Sequence, residues 1–195
     1  MARPSDELTQ WASKTAESFL RGLEPRWTHV QAVAKLADSI GTAFGEDHGV
    51  LVAAAYLHDI GYSQQLSLTG FHPLDGARFV REQGEERVAR LVAHHSGARH
   101  EARIRGLNDF EDEFPYDATS LDQALTYCDL TTSPKGERIR LEERVAEIQS
   151  RYGADHEVAR AIGLGVAEFE EAVRATERRL VDLGCEVSGS LAYRE

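Results

Sequence analysis

Residues 50–59 read Val50-Leu51-Val52-Ala53-Ala54-Ala55-Tyr56-Leu57-His58-Asp59. The segment up to Leu57 is apolar all round, so a helix built from it has no solvent face and is read as the central buried helix. Asp47 stands ahead of it as a cap, and Gly61 follows. A buried helix that delivers a histidine and an aspartate at its C-terminal end decides both the fold and the place to look for chemistry.

Working outward, the remaining punctuation also falls at helix ends. Ser5, with Asp6 and Glu7 behind it, is read as an N-cap, and Leu8, Trp11, Ala12, Phe19 and Leu20 share one helical face up to Gly22. Pro25 opens a second stretch in which Val30, Val33, Ala34, Ala37 and Ile40 recur at helical spacing. Residues 61–71 read as a loop. His72-Pro73 begins a helix with proline at its first position, and a further helix carries Val88, Leu91 and Val92 into His94-His95. Residues 96–118 read as a long polar loop, with Asp109, Glu111, Asp112 and Glu113 forming a solvated acidic run. Thr119 and Asp122 approximate a capping box for the helix that reaches Asp129. Two helices, about 139–152 and 155–183, follow, and the tail 184–195 is read as weakly ordered. No stretch alternates with period two. The expectation is an all-α bundle of about seven to eight helices, one domain over 1–195 with its core at 25–150.

Composition sets limits. Apolar residues make up 42% of the 195 and charged residues 28%, an ordinary soluble composition. The net charge of −11 repels a phosphate backbone, so no nucleic acid polymer is expected as a partner. The longest apolar run is too short to span a bilayer and the N-terminus lacks an apolar leader, so no membrane association and a cytoplasmic location are expected. Cys128 and Cys185 have no metal-like spacing, and Cys128 falls on an apolar helix side and is read as core.

Five of the eight histidines, His29, His58, His72, His94 and His95, join Asp59 and Asp129 in one candidate set. Imidazole nitrogens and carboxylate oxygens in that number suffice for two cations. Adjacent helical residues point about 100° apart, so His58 and Asp59 cannot both point straight at one ion from mid-helix, but both reach a two-ion centre with Asp59 between the ions. His48, His100 and His156 are read as solvent-facing, and Asp75 with Arg78 as a local ion pair.

The text RWTHVQAVA (26–34), LHDIG (57–61), HPLDGA (72–77), AHHSG (93–97) and CDLTTSPKG (128–136), in this order, resembles the HD-domain metal-dependent phosphohydrolase superfamily. The resemblance implies His29, His58, Asp59 and Asp129 as core metal ligands. The subset with a second metal implies His72 and His94-His95 in addition. Two divalent transition-metal ions follow, iron, manganese, zinc, cobalt or nickel being suited to an imidazole-rich site. The activity implied is attack of metal-activated hydroxide on a phosphoester, with Asp59 between the metals and Lys135 on a phosphate or leaving group. Arg26 and Arg144 are weaker candidates for that contact. The substrate expected is a small phosphorylated metabolite, a nucleotide among the options. Ile60-Gly61-Tyr62-Ser63 replaces the Glu-Asp pair of guanosine-tetraphosphate hydrolases, and the Gly-Tyr-Pro motif of cyclic-di-GMP phosphodiesterases is missing, so both activities are disfavoured. Two alternatives share the ligand pattern: a mixed-valence di-iron oxygenase, and a ligand-sensing module without turnover.

Overall fold

The structure, a computed structural model, describes residues 4–185. The expected weak order of the tail lies, from residue 186 onward, outside these residues. Eight helices of nine residues or more are found among the described residues: α1 (Ser5–Leu20), α2 (Arg26–Gly41), α3 (His48–Leu57), α4 (His72–Glu82), α5 (Glu86–His94), α8 (Ser120–Leu130), α9 (Leu141–Tyr152) and α10 (Glu157–Asp182), with no strand. The fold is all-α. No helix among these residues is long and apolar enough to cross a membrane.

Helix α3 is the centre. Leu51, Val52, Ala53, Ala54, Ala55 and Leu57 are all buried, and α1, α2, α5 and α8 pack around it. Its small alanines let those neighbours approach, and burial of its larger side chains against them supplies the main apolar stabilisation, about 1.5–3 kcal/mol for each full-sized residue. Helix α10 lies across α8, α9 and the segment Ala98–Ile104, and its Ile162 and Phe169 form a second apolar cluster with Leu130, Leu141 and Ile148. Leu130, Ile148 and Ile162 of that cluster border the same space as Asp59 and Asp129, two of the ligand candidates.

The turn after Asp59 is held against α4 by two glycines. A Cβ on Gly61 would lie 2.0 Å from the His72 carbonyl oxygen and 2.8 Å from the Gly76 amide nitrogen. Only hydrogen at position 61 permits this approach, and it sets the first residue of α4 beside Asp59.

Several local expectations change. Residues 96–118 contain two short helices, α6 (Ala98–Ile104) and α7 (Phe110–Glu113). Buried Phe110 and Phe114 pin this segment, and Glu113 receives a two-pronged Arg78 pair at 2.8 and 2.7 Å. Arg78 is therefore not paired with Asp75, which is buried and accepts from the Thr69 amide and hydroxyl, both at 3.0 Å. The fork of a guanidinium matches one carboxylate in the plane, and Glu113 presents that geometry. Thr119 and Asp122 do form a capping box, whereas Asp47 makes no side-chain cap hydrogen bond and α1 has Pro4, not Ser5, at its N-cap. His48 and His100 are half-buried, on Asp38 (2.8 Å) and Glu168 (3.1 Å); exposed His156 caps α10 through the Val158 amide at 3.2 Å.

Candidate metal centre

Five elements converge on one point. His29 comes from the first turn of α2, His58 and Asp59 from the end of α3, His72 from the start of α4, His95 from the turn after α5, and Asp129 from the last turn of α8. All are buried except His72, whose side chain keeps 16% of its surface. His29 Nε2 is 2.9 Å from Asp129 Oδ1, and His58 Nε2 is 3.4 Å from Asp59 Oδ2 and 3.9 Å from Asp129 Oδ1. His72 Nε2 is 3.4 Å and His95 Nε2 3.9 Å from Asp59 Oδ1, with 3.2 Å between the two ring nitrogens. Two donor triads result, His29–His58–Asp59 and Asp59–His72–His95, each with ligand atoms within 4.8 Å of one another. Asp59 belongs to both.

The hydrogen bonds fix the ring tautomers. His29, His58 and His95 place Nδ1 on the carbonyl oxygens of Ser133 (3.1 Å), Ala55 (2.8 Å) and Val92 (2.6 Å). A carbonyl only accepts, so each Nδ1 carries a hydrogen and each Nε2 points inward, as a lone pair wherever the ring is neutral. These lone pairs face carboxylate oxygens and one another, an arrangement that repels unless positive charge lies between them. His58 Nε2 is fully buried and has no hydrogen-bond partner. An orphaned inward nitrogen beside two carboxylates fits a divalent cation, and the donor set suits one.

The electrostatics follow from the same crowding. Burial opposes ionisation of Asp59, but Arg26 and then His58 outweigh it and hold its carboxyl well below the usual range. Asp129 is lowered likewise, against burial, first by the His29 hydrogen bond and then by His58. Burial also opposes a charge on His58, yet Asp59 and Asp129 raise it to about 9. Burial dominates at His72 and lowers it to about 3 despite Asp59, and His95 is lowered for the same first reason.

Around the ligands lie residues that the sequence reading passed over. Tyr62 stacks on His72 with ring centres 3.9 Å apart. Ser96 adopts φ 49°, uncommon for a residue with a Cβ, and its hydroxyl donates to Asp129 Oδ2. Gly97 follows at φ 70°, where a Cβ would press on the Phe169 ring at 2.8 Å. A cavity of about 600 Å³ opens over Asp59, His72, His95 and Asp129, with Leu130, Ile148, Val158 and Ile162 as an apolar wall and Arg26, Arg144 and Arg151 among its charged lining. Arg151 had no local motif to mark it. Ser96 had only its place between a histidine pair and a glycine.

Two expected residues stand apart. His94 is the last residue of α5, and the chain leaves the helix at His95 (φ −51°, ψ 142°), so the two imidazoles diverge. His94 Nε2 donates to the Phe114 carbonyl at 2.7 Å, with its ring against Phe110 and Tyr116. It is a packing residue of the 96–118 segment and lies in neither triad. Lys135 is exposed on the turn closed by the Thr132–Arg138 bridge, and the cavity is lined by arginines instead.

Two curated proteins are similar over part of the chain. A tRNA (cytidine(56)-2'-O)-methyltransferase of Thermoplasma volcanium is 38% identical over 71 residues, covering 36% of this chain and 20% of the relative. Ribonuclease Y of Mesoplasma florum is 35% identical over 78 residues, covering 39% of this chain and 16% of the relative. The matched stretch thus spans a fifth or less of either relative. No solved structure matches the chain significantly. The sequence profile of the HD domain matches residues 26–155, which contain both donor triads and Asp129, and the chain belongs to the HD domain family.

Proposed function

We propose that the protein is a metal-dependent phosphohydrolase with a binuclear centre, acting on a small phosphorylated metabolite such as a nucleotide. One observation carries this reading: the two oxygens of Asp59 face opposite triads, Oδ2 toward His58 and Oδ1 toward His72 and His95. A carboxylate so placed would serve as a ligand common to two cations, were both bound. Bound there, two divalent ions would polarise a phosphoryl oxygen and lower the pKa of water at the site. The chain's own part is to fix the ligand rings through backbone carbonyls, to hold Asp129 by Ser96, and to bring Arg26 beside the developing negative charge. The apolar wall suits an organic body such as a nucleobase. One relative is a ribonuclease by name; the net charge of −11 favours a small substrate over a polymer here.

Metal analysis of the purified chain and of Asp59→Asn, run beside a panel of phosphate esters with added manganese, tests the reading. About two ions in the parent, fewer in the variant, and phosphate release only by the parent are expected. Two ions retained by the variant would remove the bridge. Oxygen uptake with an organic substrate, without phosphate release, would replace hydrolysis by oxygenase chemistry.

A further inference from the structure

Three guanidinium groups gather at one place in a chain whose net charge is −11. Arg26, Arg144 and Arg151 line the cavity above the ligand cluster, and all three also line a second cavity of about 780 Å³ bordered by Leu23, Pro25, His29 and Pro134. Tyr62 is common to both as well. The two spaces meet at these side chains, one on the His72 and His95 side of the cluster and the other on the His29 side.

The carboxylates nearby do not match this charge. Glu147 alone serves two of the arginines, Arg144 at 2.6 Å and Arg151 at 3.4 Å. Arg26 is held by Asp59 and Arg144 Nη2 lies 3.9 Å from Asp129, both of them candidate metal ligands. Glu24 lines the second cavity, but its carboxylate already accepts from the Thr28 amide and hydroxyl. Arg144 is 6% exposed and its Nε has no hydrogen-bond partner. A buried, unpaired guanidinium donor is costly, and a planar fork of this kind is suited to a phosphate.

We infer that Arg144 and Arg151 form a second anion subsite, separate from the metal ligands, that takes a further phosphate group of the substrate. The inference rests on the phosphohydrolase reading above and narrows it: the substrate carries two phosphates, one at the metal ligands and one held by α9, with its organic body against Ile148 and Ile162. Recognition of the second phosphate belongs to the chain and does not require cations.

Calorimetry on the full chain, stripped of metal so that turnover does not intrude, compares adenosine 3′,5′-bisphosphate with adenosine 5′-monophosphate. The parent is expected to bind the bisphosphate about tenfold more tightly, the scale of one charge-assisted hydrogen bond. Arg151→Gln should bring that ratio close to one, and Arg151→Lys should keep most of it. Arg151 is exposed, so both variants are expected to fold, and their thermal midpoints check this. A ratio near one in the parent, or a ratio that survives Arg151→Gln, overturns the subsite. Phosphate release by the manganese-loaded parent is scored separately. Its failure would sink the hydrolase reading while leaving the calorimetric ratio to judge the subsite.

Discussion

The Arg26 guanidinium donates to Asp59 Oδ2 at 2.5 Å while its carbon lies 3.5 Å above the centre of the Tyr62 ring. Tyr62 in turn stacks on His72. One cation, one phenol and one imidazole thus form a layered wall against the carboxylate common to both triads. Burial works against the charge on Arg26, but Asp59 more than offsets it and raises its pKa further. Arg26 supplies the larger share of the positive charge that, together with His58, offsets the buried Asp59 carboxylate.

Replacing Arg26 with Gln therefore acts in two directions. The metal-free fold should lose about 1–3 kcal/mol, the usual cost of leaving a buried charged acceptor poorly satisfied. The affinity for divalent cations should rise, because a competitor for Oδ2 is gone. Thermal unfolding with and without manganese reads both effects: a lower midpoint without metal and a larger upward shift with it. An unchanged metal-free midpoint would show that the Arg26–Asp59 pair adds nothing to stability.

The neighbours His94 and His95 should separate cleanly by mutation. His95→Ala removes a donor from the second triad and is expected to lower metal content. His94→Ala should leave metal content at the parental level. It should instead cost about 1–3 kcal/mol of stability, since the Phe114 carbonyl loses its buried donor. Metal analysis of the two purified variants decides the matter, and metal loss in His94→Ala would return that residue to the ligand set.

That pair also shows where sequence reasoning stops. Helical spacing identified α2, α3, α5 and α8, and the positions of His29, His58, Asp59, His72 and Asp129 followed from helix ends. Which of two adjacent histidines faces inward depends on where the helix breaks, and the break is set by the backbone at His95 and Ser96, not by a residue preference. The segment 96–118 read as loop because its charges outnumber its apolar residues. Phe110 and Phe114, four residues apart and both buried, suffice to anchor it to the core. Closeness in sequence to Asp129 is what points to Lys135, and closeness along the chain does not set where a side chain ends up. Arg144, a weaker candidate in the sequence, and Arg151, which no motif marks, reach the site because α9 folds back over it, and that is a tertiary fact.

The pH dependence of the metal-free protein has a definite sign. His58 has a folded value of about 9 against about 6.5 unfolded, so its contribution is present in full below about pH 6.5 and is lost as pH rises through 9. His72 behaves oppositely: with a folded value of about 3, the unfolded chain takes up a proton first, and stability falls as pH drops from about 6.5 toward 3. Asp59 and Asp129, both lowered, add to the acid-side loss below about pH 4. The thermal midpoint should therefore peak near pH 6–7 without metal. Saturating divalent cation displaces the His58 proton and should flatten the alkaline limb. A metal-free midpoint that holds constant from pH 7 to 9.5 would contradict the raised value at His58.

Gly61→Ala is the sharpest test of how the second triad is assembled. The added Cβ would meet the His72 carbonyl oxygen at 2.0 Å and the Gly76 nitrogen at 2.8 Å, and both are backbone atoms that no rotamer change can move. The turn after Asp59 and the first turn of α4 must part, at a cost of about 1–3 kcal/mol. That shift carries His72 away from Asp59 while His29 and His58 keep their anchors on Ser133 and Ala55. Metal content should fall to about one ion per chain rather than zero if two cations are bound in the parent. Gly22→Ala is the control, because nothing lies within 4 Å of a Cβ there and the change should stay within about 0.5 kcal/mol. If Gly61→Ala matches the control in both thermal midpoint and metal content, the glycine contact does not set the distance between Asp59 and His72.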